Sequence, residues 1–527
     1  MCGNQNGVET ELADHGLYEE LTRYCESDCY PYHMPGHKRS PEAGAMAQYY
    51  GIDITEIDGF DNLHHAEGIL QEAQERANRL YGNVETETFY LVNGSTCGVL
   101  ASVMTAAGRG AELLIARNCH KSVYHAAILQ ELGLHYYEPP ILEEYGICGG
   151  VDAREIARLL HQHPNCAAVV ITSPTYEGIV SDVRAVADVV HGQDKILIVD
   201  EAHGAHLGLQ GSTLPSALSQ GADLVIHSLH KTLPAMTQTA LLHVQGERID
   251  RGRLRRYLSM LQSSSPSYVL MASMDSCIRY MEANGPERYL FMRRQYELFC
   301  EKMKKCRLIR IGNMTYGQKP WDHKEIQDKT ETGSAACADV KKPGEKWEGC
   351  IAGWDIGKLV IGVKDRLMSG QQLYDLLREE YHLQMEMAAE RYVLAIMTVM
   401  DSAEGWQRLA DALAEIDDRI ERGTISLQKA ADTGWTEKIT AGVDKDCGMT
   451  AAQAYFGPRK EVPLAEAAGR VAADFINLYP PGIPLVVPGE VISGEMLWRI
   501  QSCLNMGLQV QGVTDEGKIC VNRAEIL

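Results

Sequence analysis

Between Asn62 and Val244, short apolar runs rich in β-branched residues alternate with stretches of helical periodicity, and this alternation restricts the possible folds more than any other feature. The runs are FYLV (89–92), LLIA (113–116), AAVVIT (167–172), ILIV (196–199), DLVIH (223–227) and ALLHV (240–244). Segments such as GVLASVMTAAG and VRAVADVV fill the gaps. Strands that are apolar throughout are buried on both faces, and the helices between them supply the cover. The expectation is an α/β fold built on a mainly parallel sheet.

At 527 residues the chain exceeds one ordinary domain of ~150 residues, and about three are expected. Residues 1–45 read as an N-terminal arm, with an amphipathic helix from Leu17 to Tyr24 ahead of the loop-like YPYHMPGHK. Residues 46–285 read as the large domain and 286–425 as a smaller α+β domain. The smaller one carries KLVIGV, a helix from Gly370 to Tyr381, YVLAIMTVM and a helix over 403–421. Residues 426–527 read as a C-terminal domain with the strand-like pieces LVV and KICV. The polar stretch 317–350 reads as a long loop or insertion, and 422–448 as a weakly patterned connector.

The formal net charge of −21 argues against nucleic acid as the main partner, because phosphate binding needs clustered Lys and Arg. An acidic surface enriches a cationic small substrate near a site, though solubility alone also explains it. No apolar run reaches membrane-spanning length, and the first residues lack a basic and then apolar leader pattern, so a cytoplasmic protein is expected. The fifteen cysteines are odd in number, scattered and without a CxxC pair, which suits reduced thiols. Cys25 and Cys29 lack the second ligand pair that a structural zinc site needs.

The strongest local feature is DLVIHSLHKT (223–232), where a strand runs into a turn that carries Lys231. Thirty-one residues earlier, ILIVDEAHGAH ends another strand at Asp200. The carboxyl ends of strands in an open α/β sheet form its ligand crevice, so both residues are expected in one site. A lysine amine forms a Schiff base with an aldehyde cofactor, and a buried carboxylate keeps a pyridinium nitrogen protonated. That pairing points to pyridoxal 5′-phosphate (PLP). VNGSTCG (92–98) follows a strand and opens a helix; the N–H groups after Gly94, with the hydroxyls of Ser95 and Thr96, suit its phosphate. Taken alone NGST is an ordinary helix start, Lys231 an ordinary surface lysine and Asp200 an ordinary strand-end cap. Together they are not.

His120, after the LLIA strand, is placed to stack on a cofactor ring or to touch the substrate carboxylate, against the plainer reading of a capping or core histidine. Ser228 and His230 flank Lys231 and are candidates for phosphate or substrate, while His203 and Glu201 follow Asp200 and also suit packing. Glu177, in the strand-end loop TSPTYEG, is a candidate for a substrate cation.

These motifs together resemble the Orn/Lys/Arg decarboxylase family of PLP fold type I, in the group without an N-terminal response-regulator-like domain. The resemblance runs through YPYHMPGHK, DNLHHAEG (61–68), LVNGST, RNCHKS (117–122), SPTYEG, VDEAHGAH and HSLHKT. It continues in LQSSSPSYVLMASMD (261–275) and YPPGIPLVVPGE (479–490). It implies an aspartate aminotransferase-like large domain with a seven-stranded sheet and smaller α+β domains after it. It implies Lys231 as the Schiff-base lysine, Asp200 as the pyridinium partner, His120 on the ring, and Ser95, Thr96, Ser228 and His230 around the phosphate. It also implies a homodimer or higher oligomer with shared sites, the SSSPSY serines reaching the phosphate of a neighbouring subunit.

The implied reaction is decarboxylation of a basic amino acid. Family habit favours arginine slightly over lysine or ornithine, and a guanidinium would seek paired carboxylates, for which Glu177, Glu386 and Asp401 are the candidates. Both polyamine synthesis and acid tolerance fit such a reaction. Transamination or a lyase reaction on the same fold is the first alternative; aminotransferases usually carry an arginine for the substrate carboxylate in the small domain, and Arg391 lies in a region that suits one, though one arginine decides little. A PLP-binding homologue without turnover is the second; an assembly scaffold finds no positive support.

Overall fold

The computed structural model describes residues 16–82, 85–315, 350–430, 449–478, 482–505 and 507–523. The expected insertion at 317–350 lies outside the described residues apart from Cys350, as does most of the connector at 422–448.

Seven strands form the central sheet: β1 (Thr86–Leu91), β2 (Glu112–Ala116), β3 (Gly133–Tyr137), β4 (Cys166–Thr172), β5 (Ile196–Asp200), β6 (Leu224–Ser228) and β7 (Ala240–Gln245). Their order across the sheet is β1-β7-β6-β5-β4-β2-β3. β7 pairs antiparallel with both β1 and β6, and the remaining pairs are parallel. Six strands therefore point one way, and the carboxyl ends of β1, β2, β4, β5 and β6 open on a common edge. Every residue of β6 is buried, the result of helices on both sheet faces. Leu113, Val169, Ile198 and Val225, all without exposure, anchor the largest core cluster. Helices over 153–162, 183–191 and 251–261 begin at Asp152, Asp182 and Asp250, whose side chains accept the first free backbone N–H groups.

The arm is docked rather than loose. Its helix, Leu17–Glu26, buries Leu17 and Leu21 completely. Burying such a side chain contributes about 1.5–3 kcal/mol, and Leu17 N also donates to Asp275 Oδ2 at 2.8 Å. Asp275 belongs to the long helix Tyr268–Met303. The expected boundary between residues 285 and 286 falls inside this helix, which continues through Pro286.

Beyond it a four-stranded antiparallel sheet has the order β8-β9-β11-β10, from β8 (Ile309–Ile311), β9 (Lys358–Val363), β10 (Met387–Ala388) and β11 (Tyr392–Ile396). It packs with helix Ala403–Glu421 and the long helix in the second core cluster. A two-stranded ribbon pairs Ile351–Trp354 with Ile179–Ser181 and so ties the start of β9 to the loop after β4. The last segment adds the ribbon of Arg459–Pro463 with Lys518–Asn522 and a small sheet around Ile476–Leu478. No described helix is long and apolar enough to cross a membrane.

Candidate active site

A cavity of about 530 Å³ opens at the carboxyl edge of the central sheet. Its lining gathers Gly94, Ser95 and Thr96 after β1, His120 after β2, Glu177 after β4, and Asp200 and His203 at and after β5. His230 and Lys231, after β6, complete the large-domain wall. Glu386, just before β10, and Ile483, from the C-terminal segment, close it from the other side.

Each of these side chains is fixed by its element. Lys231 sits in the helical turn Leu229–Thr232 directly after β6, and its Nζ lies 3.0 Å from His203 Nε2. Burial lowers its pKa, while the charges of Asp200 and Glu386 work the other way. Asp200 ends β5 with its Oδ1 accepting from Ala202 N at 3.1 Å; burial raises its pKa and Lys231 opposes that. His120 is the N-cap of helix Lys121–Leu129, its Nδ1 accepting from Ser122 N at 3.3 Å. It therefore caps a helix and lines the cavity at once. With Nδ1 an acceptor, the neutral ring carries its proton on Nε2. Burial, then Lys231, brings its pKa down to about 4, so the ring is uncharged near neutral pH.

Gly94 shapes the part of the cavity wall that follows β1. It has φ +75°, a left-handed conformation that favours glycine, and it begins the helix Gly94–Ala106. Asn93 makes no side-chain cap there, so the first-turn N–H groups are left for a ligand. Ser228, at the end of β6, is buried with its hydroxyl unpartnered, and His230 Nδ1 is held by Thr239 O at 3.0 Å. An uncapped helix start, a buried carboxylate and a lysine in one cavity fit the phosphate, ring nitrogen and aldehyde of PLP; Ser228 is not among the lining residues.

Two carboxylates line the cavity, Glu177 on the large-domain wall and Glu386 opposite it. Glu177 accepts from Tyr392 Oη at 2.9 Å, and burial raises its pKa. Glu386 accepts from Tyr176 Oη at 2.5 Å. Asp401 is not brought into the lining: its Oδ2 accepts from Thr398 N at 2.6 Å in the turn ahead of helix 403–421. Arg391 is also turned away, donating to Glu143 O at 2.7 Å. Sequence reasoning missed Lys358, completely buried with Nζ 3.5 Å from His203 Nδ1. As the polar start of an apolar run it resembles any strand-end lysine. It missed Ile483 too, since nothing local ties that loop to the sheet.

This fold and site define a PLP enzyme of fold type I. The Orn/Lys/Arg decarboxylase major domain matches residues 15–399, and the C-terminal domain of the same family matches 443–510. The chain belongs to the Orn/Lys/Arg decarboxylase family, and PLP is its cofactor. It is 29% identical to arginine decarboxylase of Bacillus subtilis (strain 168), over 95% of each chain. It is 33% identical to the uncharacterized protein YaaO of the same organism, over 94% of this chain and 95% of that one. The constitutive lysine decarboxylase of Escherichia coli has the same fold, with a TM-score of 0.74 at 20% identity over 96% of this chain and 82% of that one.

Proposed function

We propose that this chain removes the α-carboxylate of L-arginine, releasing CO₂ and agmatine, with lysine and ornithine as poorer substrates. The observation that carries the substrate reading is the pair Glu177 and Glu386 in the same cavity as Lys231. A guanidinium offers N–H donors in a rigid fork that two carboxylates satisfy, whereas an ammonium is a compact point charge. The relatives named arginine decarboxylase support it by matching from end to end.

In this reading Lys231 would hold the aldehyde carbon of PLP, Asp200 its ring nitrogen and His120 its ring. The Gly94–Thr96 turn, with Ser228 and His230, holds the phosphate, and His203 lies beside the lysine. Bound there, PLP supplies a sink for the electron pair that CO₂ leaves behind. Asp200 contributes a buried negative charge opposite the ring nitrogen, worth more there than in water. His120 stays neutral and adds no competing cation. Lys231, its amine facing His203, carries the proton that the α-carbon takes up after CO₂ departs. Glu177 and Glu386 fix the far end of the substrate and so orient the carboxylate.

We place the domain divisions near residues 45, 285 and 425, the second within the long helix. We propose a homodimer, or a larger assembly of dimers, as the active form. Tyr30, Tyr32 and Met34 on the arm are largely exposed, and Ser263, Ser264 and Ser265 are exposed outside their own cavity, as a surface awaiting a second copy would be. The described cysteines are free thiols, which supports a reducing, cytoplasmic setting.

The test offers arginine, lysine and ornithine separately to the purified, PLP-loaded protein and identifies the amine formed. Dominant agmatine is expected. Dominant cadaverine or putrescine would overturn the arginine reading, and no amine at all would overturn decarboxylation. Glu386→Gln is expected to raise KM for arginine about tenfold or more.

A further inference from the structure

A second lysine lies behind the cavity, and the reaction as outlined does not use it. Lys358 Nζ is 3.5 Å from His203 Nδ1, and Nε2 of the same ring is 3.0 Å from Lys231 Nζ. One imidazole therefore separates two lysines, one in the crevice and one in the interior. His203 is itself buried, and burial and both lysines push its pKa well down, so the ring is neutral. A neutral imidazole carries one proton and offers one acceptor, and its tautomer follows its neighbours.

The backbone is shaped to hold Lys358 there. Asp355 N donates to Gly178 O at 2.8 Å, and Lys358 N donates to Asp355 O at 3.1 Å, which clamps the turn against the loop carrying Glu177. Gly178 has φ +94°, and a Cβ added to it would stand 2.6 Å from Lys358 Cβ. The loop thus passes against the lysine stem at a distance that only glycine permits. The charges facing the amine are Asp355 from its own turn, Glu386 from the residue before β10, Glu177 from the loop after β4 and Lys231 from the turn after β6. Burial outweighs the three carboxylates and brings Lys358 down to about 8, so this amine exchanges its proton near neutral pH instead of being a fixed cation.

The geometry points to Lys358 as a positioning residue for Lys231, acting through His203: its ammonium donates to Nδ1, keeps the imidazole proton on Nε2 and directs that N–H at the Lys231 amine. The contact to Nδ1 is long for a hydrogen bond, as such contacts often are before substrate binds. Proton balance is simple. When Lys358 gives a proton to Nδ1, the proton on Nε2 moves to Lys231 Nζ, and the three groups together gain and lose none. The inference rests on the decarboxylase reading only for the use to which Lys231 puts that proton.

The test compares wild type, Lys358→Met and Lys358→Gln as full-length, PLP-loaded proteins. One readout is the visible absorbance of the bound cofactor against pH, and the other is kcat and KM against pH. In Lys358→Met the absorbance midpoint should move by about one pH unit. Its alkaline activity limb should flatten, with kcat down about tenfold and KM within about twofold of wild type. Lys358→Gln, whose amide can donate to Nδ1 without charge, should recover part of kcat while the limb stays flat. A folded Lys358→Met protein with an unmoved midpoint and limb would overturn the proposal. So would failure of both variants to yield soluble, cofactor-binding protein, which assigns Lys358 to folding alone. If wild type formed no amine, the functional reading would fail, and the absorbance titration would still decide the role of Lys358.

Discussion

At the scale of single residues, the site is a set of strand-end side chains whose environments differ by design of the sheet edge. Lys231→Ala removes the amine that lines the crevice with Asp200. Amine formation should fall to background while circular dichroism and the unfolding temperature stay near wild type, because Lys231 is only partly buried and its turn keeps its backbone bonds. Gly178→Ala makes a sharper steric prediction. An added methyl meets Lys358 Cβ and Cγ at 2.6 and 2.7 Å on a backbone with positive φ. Overpacking of this kind costs about 1–3 kcal/mol, and thermal unfolding should show it together with lowered activity. Residues at or just after strand ends were legible in the sequence, because an apolar run marks each strand: Asp200 ends β5, Lys231 lies in the turn after β6 and His120 follows β2 by four residues. Asp401 was misleading because it stands at a polar turn, where its carboxylate serves the backbone N–H of Thr398. Lys358 carried no local signal, because its meaning comes from His203, far away in sequence.

At the scale of elements, a buried polar chain crosses the sheet beneath the site. Thr88 Oγ1 on β1 donates to Asn78 Oδ1 at 3.1 Å and so accepts from His243 Nδ1 at 2.8 Å. His243 Nε2 then accepts from His227 Nδ1 at 3.1 Å, which leaves His227 Nε2 to accept from Glu201 Oε2 at 2.7 Å. The direction of this chain requires Glu201 to be a neutral acid. Burial pushes its pKa up to about 8, in agreement. A carboxyl group raised on folding stabilises fully below its unfolded pKa and loses that contribution as pH rises through the folded value. Wild-type stability should therefore lose up to about 1.4 kcal/mol per pH unit from this group between its unfolded pKa and about pH 8. Glu201→Gln should remove that slope in urea unfolding measured from pH 5 to 9, and an unchanged slope would refute the assignment. The strands of the central sheet were readable as apolar runs, apart from β3. GLHYY is a half-exposed edge strand, with no continuous apolar run to mark it. The long helix runs across the domain boundary expected between residues 285 and 286 and continues through Pro286. Tertiary contacts on both sides, from Met271 to Met303, hold it together.

At the scale of the whole molecule, the cavity is complete only where the parts of the chain meet. Arg117, wholly buried after β2, donates to Pro484 O at 2.8 Å and pairs with Glu490 at 3.3 Å. This latch sets the C-terminal loop, with Ile483, against the large-domain wall. Removing one partner of a buried ion pair costs about 3–5 kcal/mol. Arg117→Met should therefore loosen residues 449–523 first, seen as faster hydrogen exchange there than in the central sheet. The proposed dimer makes its own prediction: sizing with activity should place turnover in the dimer or larger species, and a fully active monomer would contradict shared sites. Of Lys231 and Lys358, the first lines the cavity and the second is buried behind it. The most direct measurement is borohydride reduction of the PLP-loaded protein followed by peptide mass spectrometry. The pyridoxyl mass is expected on the peptide containing Lys231. Label on Lys358 or on any other lysine, with Lys231 unmodified, would contradict it.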